Sequence, residues 1–215
     1  MPPKPKFTRE EVVAVALKLV SEKGMDALTA RELGERLGSS ARPIFTVFRN
    51  MEELTEAVRA AAMRKYDSYV GSAIDYTPVL KQFGMQMVLF ATEEPNLFRM
   101  LFMRRHTGKA DMEEVARLLG PTRDLCIETI RKDYGLDGDE ARKFFEQLWI
   151  YTYGLAALCA TGMCRFDEEE LIRLLGCEFV GMMTLMKSGK WEMPTPRPMP
   201  KETEMRSENE KATCS

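Results

Sequence analysis

The sequence has few of the residues on which catalytic and metal sites most often depend. Its 215 residues include one histidine, His106, and five cysteines, at positions 126, 159, 164, 177 and 214. An odd number of scattered cysteines forms neither a disulfide framework nor a set of zinc ligands. No paired carboxylates, nucleophile motif or phosphate-binding loop stands out. We therefore expect no enzyme activity, no catalytic residue, no metal and no cofactor.

The patterns of strands and membrane spans are also missing. No segment alternates polar and apolar residues long enough to predict a strand. The uncharged run at 147–164 has only the minimum length for a membrane span and includes Gln147, Thr152 and Thr161. Residues 1–6 have no apolar run behind them, so we expect no secretory signal. These absences favour an all-α, cytoplasmic protein without a membrane partner.

What the sequence does contain is a helix-turn-helix pattern at residues 29–48. Thr29 and Glu32 have the spacing of a capping box at a helix start, as do Thr8 and Glu11 at the start of the first helix. Gly34 would let a second helix approach closely, and Gly38 can take a positive φ in the turn. The alternative is an ordinary helical hairpin inside a core.

The second helix of the pattern is short and amphipathic. Ser39 or Ser40 is placed to cap it. Its apolar side is predicted to consist of Ile44, Phe45 and Phe48. The other side is left for a groove and carries Ala41, Arg42, Thr46 and Val47.

Residues 7–58 resemble the N-terminal domain of the TetR family of bacterial transcriptional regulators. The resemblance rests on EKG at 22–24, ALT at 27–29, GSS at 38–40, IFTVF at 44–48 and NMEEL at 50–54. Two positions depart from the family pattern, because Phe45 stands where tyrosine is usual and Met51 where lysine is usual. Both family residues commonly touch phosphates, and Arg49 is placed to substitute for one of them.

The resemblance implies a DNA-binding surface on the helix-turn-helix. We expect Arg42 and Thr46 to approach base edges, since these side chains can hydrogen-bond in the major groove. The full predicted DNA-binding set is Thr29, Arg31, Ser39, Ser40, Ala41, Arg42, Pro43, Phe45, Thr46, Val47 and Arg49. Charge agrees with this role, because residues 1–65 carry twelve basic and nine acidic side chains although the whole chain has a net charge of −2.

The chain is predicted to have about nine helices in four segments. A flexible basic arm covers 1–6, and the helix-turn-helix domain covers 7–58. The effector-binding and dimerisation domain covers 59–189, and the boundary falls inside one long helix. The proline-rich, polar stretch 190–215 is predicted to be a disordered tail.

Two further sites are predicted in the larger domain. Methionines and phenylalanines suggest an adaptable apolar ligand pocket, for which the alternative is core packing. The candidate pocket residues are Phe83, Met87, Phe90, Phe98, Met100, Phe102, Met112 and Tyr151. The last two helices resemble the family's dimer interface, for which the alternative is the core of one subunit. The candidate interface residues are Trp149, Gly154, Ala157, Thr161, Leu171, Leu175, Phe179, Met182 and Met186.

The functional hypothesis is a homodimeric, DNA-binding transcriptional regulator. The resemblance implies a repressor that a small apolar ligand releases from a palindromic, double-stranded operator. The partners are then the operator, a second copy of the chain and an unknown small-molecule effector. The alternative, favoured by Phe45 and Met51, is a ligand or redox sensor, or an interaction protein, with weakened DNA binding.

Overall fold

Eight α-helices and two 3₁₀ helices are present in residues 6–71, 79–103, 112, 115 and 119–189, which this computed structural model describes. The α-helices are α1 Arg9–Lys23, α2 Ala30–Arg36, α3 Met51–Gly71, α4 Val79–Glu93, α5 Pro95–Phe102, α6 Pro121–Tyr134, α7 Gly138–Ala160 and α8 Glu168–Lys187. The 3₁₀ helices are Met25–Ala27 and Arg42–Thr46. Because the described residues contain no strand, the predicted all-α class is confirmed. Residues through Met182 form one compact unit, and a second unit begins at Met183.

The first helix begins and ends where local chemistry places it. Thr8 Oγ1 accepts from the Glu11 N–H at 3.1 Å, and the Glu11 carboxylate accepts from the Thr8 N–H at 2.8 Å. This is the reciprocal capping box that the sequence predicts. The helix ends at Gly24, whose φ of 84° suits a residue without a Cβ. Its inward face packs with α2 and α3, and the fully buried side chains of this small core include Val12, Leu19, Leu33 and Ile44.

The long helix α3 is shared between the N-terminal head, defined as residues 7–58, and the body, defined as residues 59–189. It starts where the Asn50 side chain accepts from the Glu53 N–H at 2.9 Å, and it continues unbroken to Gly71. Near its start it buries Leu54 and Val58, while Tyr66 and Val70 are buried further along. It packs against α1, α4 and α5. The predicted domain boundary near residue 58 therefore lies inside a continuous helix.

The body is built around the packing of α4 against α7, with α6 on α7 and α5 completing the junction to α1 and α3. An aromatic cluster fills that junction. The Tyr66 ring lies 5.3 Å from the Phe90 ring and 5.1 Å from the Phe102 ring, measured between centroids. Edge-on contacts of this kind stabilise a core beyond the area they bury.

Some of the sequence predictions fall on residues that the structure does not describe. They are residues 1–5 of the arm, the single histidine His106, and the tail at 190–215. Before α6, which starts at Pro121, Gly120 has a φ of 54°. Within the described ranges, no helix is long and apolar enough to cross a membrane.

Candidate DNA-binding surface and ligand cavity

The turn of the helix-turn-helix depends on two glycines. Gly38 has a φ of 61°, which disfavours side chains. A Cβ on Gly34 would lie 3.0 Å from the Ala41 nitrogen and 3.0 Å from the Ser40 carbonyl carbon. The backbone after the turn thus packs directly on α2, and the Ser39 N–H donates to the Gly34 carbonyl at 2.9 Å. Both glycines therefore have the roles that the pattern predicts.

The predicted capping of α2 is only half right. Thr29 Oγ1 accepts from the Glu32 N–H at 3.2 Å, as expected. The Glu32 carboxylate does not return to Thr29 but accepts from Lys23 Nζ at 2.6 Å, and this bond lowers the pKa of Glu32. The Thr29 N–H instead donates to the Ala27 carbonyl at 2.8 Å. A distant cation has replaced the local partner.

The segment after the turn also differs from the predicted second helix. Arg42–Thr46 is a single 3₁₀ stretch, and its N-cap residue is Ala41, so neither Ser39 nor Ser40 caps it. Pro43 lacks an N–H, which limits regular hydrogen bonding in so short a segment. Ile44 and Phe48 face the core as predicted, but Phe45 is 44% exposed. Placing Phe45 on the apolar side was therefore wrong, and it lies with the residues left for DNA.

None of the eleven predicted DNA-binding residues is buried. The exposed ones are Thr29, Arg31, Ser40, Arg42, Phe45, Thr46 and Arg49, and the partly exposed ones are Ser39, Ala41, Pro43 and Val47. The Thr46 hydroxyl donates to the Pro43 carbonyl at 2.6 Å, so its oxygen can still accept from a base or a backbone group. Arg31 lies 3.1 Å from Glu35, a surface pair that can open at little cost.

Two cations outside the predicted DNA-binding set lie beside this surface, Lys6 of the basic arm and Arg9 of α1. Lys6 Nζ is 3.1 Å from Ser39 Oγ, so the last residue of the arm reaches the turn. The Arg9 guanidinium donates to the Val47 carbonyl at 3.1 Å and lies 4.2 Å from the centre of the Phe48 ring. Arg9 and Val47 are 38 positions apart, so no local pattern could have revealed the contact.

Glu53 joins these elements. Its carboxylate accepts from Arg9 Nη1 and from the Arg49 N–H, each at 2.8 Å. The pKa of Glu53 is lowered, first by the Arg49 N–H and then by Arg9, because both favour the charged form. One side chain thus connects the start of α1, the first turn of α3 and the end of the recognition segment, defined as residues 42–49.

Replacing Glu53 with glutamine is expected to make unfolding less sensitive to acid. A carboxyl whose folded pKa lies below its ordinary value of 4.5 stabilises the fold above that pH. The stability is lost as pH falls through the folded pKa, and glutamine cannot titrate. Denaturant unfolding at neutral pH and below pH 4.5 measures the difference, and Glu52→Gln at the exposed neighbouring position is the control. If Glu53→Gln and wild type lost the same stability on acidification, the acid sensitivity of the fold would not come from Glu53.

The comparisons with known families match this geometry. The description "Bacterial regulatory proteins, tetR family" matches residues 12–58, and "Tetracyclin repressor-like, C-terminal domain" matches residues 80–175. Together the two matches span most of the chain. The chain belongs to the TetR family of bacterial transcriptional regulators. As a TetR-family regulator it is a DNA-binding protein, and its helix-turn-helix lies within the first match.

Individual relatives agree. An uncharacterized HTH-type transcriptional regulator of Mycobacterium tuberculosis is 28% identical over 166 residues, which are 74% of this chain and 72% of the relative. The class C tetracycline repressor of Escherichia coli is 38% identical over 58 residues, 27% of this chain and 26% of that protein. A solved TetR-family structure from Vibrio parahaemolyticus, 19% identical, shares the fold with a TM-score of 0.55, covering 80% of this chain and 97% of that one.

The body of this TetR-family chain contains two adjoining cavities, a larger one between α4, α6, α7 and α8 and a smaller one between α3, α4, α6 and α7. The larger has a volume of about 200 Å³ and the smaller about 50 Å³. Their common wall consists of Leu80, Gly84, Leu148 and Thr152. A Cβ on Gly84 would lie 3.2 Å from the Leu175 side chain, so the glycine lets α8 approach α4 closely. The larger cavity is otherwise lined by Lys81, Tyr134, Leu175, Gly176, Phe179 and Val180.

The predicted pocket residues divide between the cavities and the core. Phe83 and Met87 line the smaller cavity. Phe90 and Phe98 are fully buried, and with Phe102 they belong to the aromatic core. The remaining three, none of which lines either cavity among the described residues, are Met100, Met112 and Tyr151. Helical periodicity identifies the inward face of a helix, but it does not show where neighbouring helices leave space.

Trp149, predicted at a dimer interface, instead lines the smaller cavity. It is 9% exposed, and its Nε1 atom is buried without a hydrogen-bond partner among the described residues. A buried N–H usually has a partner, because leaving it unpaired costs about 1–3 kcal/mol. An oxygen of a bound molecule would satisfy this donor.

The other predicted interface residues are unevenly exposed. Leu171, Leu175, Met182 and Met186 are each less than a tenth exposed, and the Phe179 ring lies 5.0 Å from the Tyr134 ring of the same chain. Packing within one chain therefore already accounts for the burial of Leu171 and Leu175, and Phe179 is partly exposed. Gly154 and Thr161 are exposed and Ala157 is partly exposed. A dimer interface on α7 and α8 stays a prediction. Among the described residues, only exposed side chains of these two helices are still available to a partner.

Proposed function

We propose that the protein is a homodimeric repressor that binds a palindromic operator and that a small ligand in the larger cavity weakens this binding. The observation that carries the proposal is the position of the cavity. Its lining includes residues of α4 and α7, the two helices whose packing forms the centre of the body. The far end of α4 is in turn bonded to helices of the DNA-binding head.

The connection runs through the elbow, defined as residues 93–96 between α4 and α5. Glu94 accepts a hydrogen bond from Ser21 of α1 at 2.6 Å and also pairs with Lys65 of α3. Asn96 Nδ2 donates to the Ser21 carbonyl at 2.8 Å. The Tyr69 hydroxyl donates to Glu93 at 2.7 Å. A shift of α4 caused by a ligand would thus pull on both α1 and α3.

Dimerisation is supported by exposed apolar side chains on the last two helices. Ile150 is 43% exposed and Val180 is 63% exposed. A second copy covering them would remove apolar area from water, as in symmetric interfaces.

The two DNA-binding heads of such a dimer must enter successive major grooves on one side of the duplex, roughly 34–36 Å apart.

The competing hypothesis of a redox sensor with weakened DNA binding finds no support in Cys126, so among the described residues a reactive thiol would have to be sought at the exposed Cys177 or the partly exposed Cys164. Cys126 is buried, and burial raises the pKa of its thiol to about 12. Such a thiol is protonated at neutral pH and reacts slowly. At the DNA surface, Lys6 lies beside Ser39 and supplies a cation that can contact a phosphate.

The ligand and the operator are expected to weaken each other's binding by the same factor. Binding free energies are reciprocal, and a tenfold effect corresponds to about 1.4 kcal/mol of coupling. The operator is selected from random DNA, and a ligand is found by thermal-shift screening. The ligand is then titrated into protein with and without operator. Equal ligand affinities in the two titrations would contradict the proposal and leave the body as a dimerisation platform.

A further inference from the structure

Lys81 is the one charged residue among those described that line the larger cavity. It is half-buried, and no acidic side chain among the described residues pairs with it. The other polar lining groups are two hydroxyls, and that of Thr152 already donates to the Leu148 carbonyl at 2.8 Å. The remaining lining is apolar.

The position of Lys81 on its helix adds a second reason to expect an anion. Lys81 is the third residue of α4, whose first turn carries no acidic residue. The N-terminal end of a helix has a partial positive charge, so a lysine there has the unfavourable sign. An anion beside Lys81 would be attracted by the ammonium and by the helix end together. Because half-burial reduces screening by water, this attraction is stronger than on an open surface.

The cavity volume limits the size of the apolar part. An apolar protein cavity of about 150 Å³ holds benzene, and the larger cavity here has about 200 Å³. It therefore suits an apolar chain of roughly six to eight carbons, or one aromatic ring with a short chain. The smaller cavity, with the unpaired Trp149 N–H, adjoins the common wall at Gly84.

We propose that the ligand is an amphipathic organic acid whose carboxylate pairs with Lys81 and whose apolar chain fills the larger cavity. This inference rests on the proposed function, in which that cavity is the effector site. The ammonium favours a negatively charged ligand group, and the apolar walls favour an apolar chain or ring. Lys81 is thus the specificity-determining residue of the cavity.

The test compares octanoate with octanamide, which has the same chain but no charge. Both are titrated calorimetrically into the full-length wild-type protein and the Lys81→Met variant, without DNA. We expect wild type to bind octanoate at least tenfold more tightly than octanamide. Lys81→Met should lose at least tenfold in octanoate affinity while octanamide affinity is unchanged, because methionine keeps the apolar stem. Lys81→Arg should retain most of the octanoate affinity.

Lys143→Met is the matched control, because Lys143 lies on α7 and lines neither cavity. It should bind both probes as wild type does. Equal affinity of the two probes for wild type, or an equal loss of both in Lys81→Met, would overturn the organic-acid proposal. If neither octanoate nor octanamide binds wild type, the organic-acid proposal is also overturned.

The proposed function is tested separately by operator affinity. If octanoate binds through Lys81 but leaves operator affinity unchanged, the ligand class stands and ligand-controlled repression fails. If a neutral ligand binds the cavity and weakens operator binding, repression stands and the organic acid fails. The two results cannot be confused, because one assay contains no DNA.

Discussion

A variant with valine in place of Gly34 is expected to lose operator binding by about a hundredfold. A Cβ at this position would lie 3.0 Å from two backbone atoms, in Ser40 and Ala41. Backbone cannot rotate away as a flexible side chain can, so the recognition segment must shift. Overpacking of this kind costs about 1–3 kcal/mol, which corresponds to up to two orders of magnitude in affinity if it falls on the bound conformation.

Operator affinity and thermal unfolding should be measured together for this variant. The matched control is Gly71→Val, because a Cβ on Gly71 meets no atom of the described residues within 4 Å and Gly71 is exposed at the end of α3. The control is expected to bind as wild type does. Wild-type operator affinity in Gly34→Val would show that the close approach of the recognition segment to α2 is not needed for DNA binding.

Replacing Arg42 with alanine is expected to weaken operator binding by roughly ten- to a hundredfold. Arg42 is exposed at the start of the recognition segment. An arginine that bonds a base edge contributes about 1–3 kcal/mol of discrimination. The loss should therefore be large on the selected operator and small on unrelated DNA, so the ratio of the two affinities falls.

The comparison variant is Arg31→Ala, which removes an exposed cation at the start of α2. If Arg31 binds a phosphate, its removal should weaken binding to all sequences equally. The slope of log affinity against log salt concentration should then become shallower by about one. Affinities for operator and unrelated DNA at two salt concentrations distinguish the two cases. Uniform weakening by Arg42→Ala would show that Arg42 touches only the DNA backbone.

The sequence predicts those features of the head that depend on neighbours in the chain. Thr8 and Glu11 are three residues apart, and their capping box forms as expected. Gly38 takes its positive φ because the turn itself requires it. Glu32 departs from prediction because Lys23, which is near in space only after folding, competes for its carboxylate. Likewise, Arg9 and Glu53 are 44 positions apart, so only the packed structure shows that they pair.

The cavity was less predictable than the head for a different reason. Apolar spacing correctly places Phe83, Met87 and Phe90 on the inward face of α4. Whether such a side chain meets another side chain or an empty space depends on three other helices. The space here adjoins Gly84, a residue whose small size gives no periodic signal. Lys81, one turn earlier, cannot be assigned to the cavity until α6, α7 and α8 are in position.

The unbroken course of α3 limits how this protein could be recombined with its relatives. The helix carries part of the head core at Leu54 and part of the body core at Tyr66. An α-helix turns by about 100° per residue, so a chimera joined one residue out of phase would rotate one half against the other by that angle. Exchange of DNA-binding heads must therefore preserve the helical phase between these two positions. Length variation is better accommodated elsewhere in the chain.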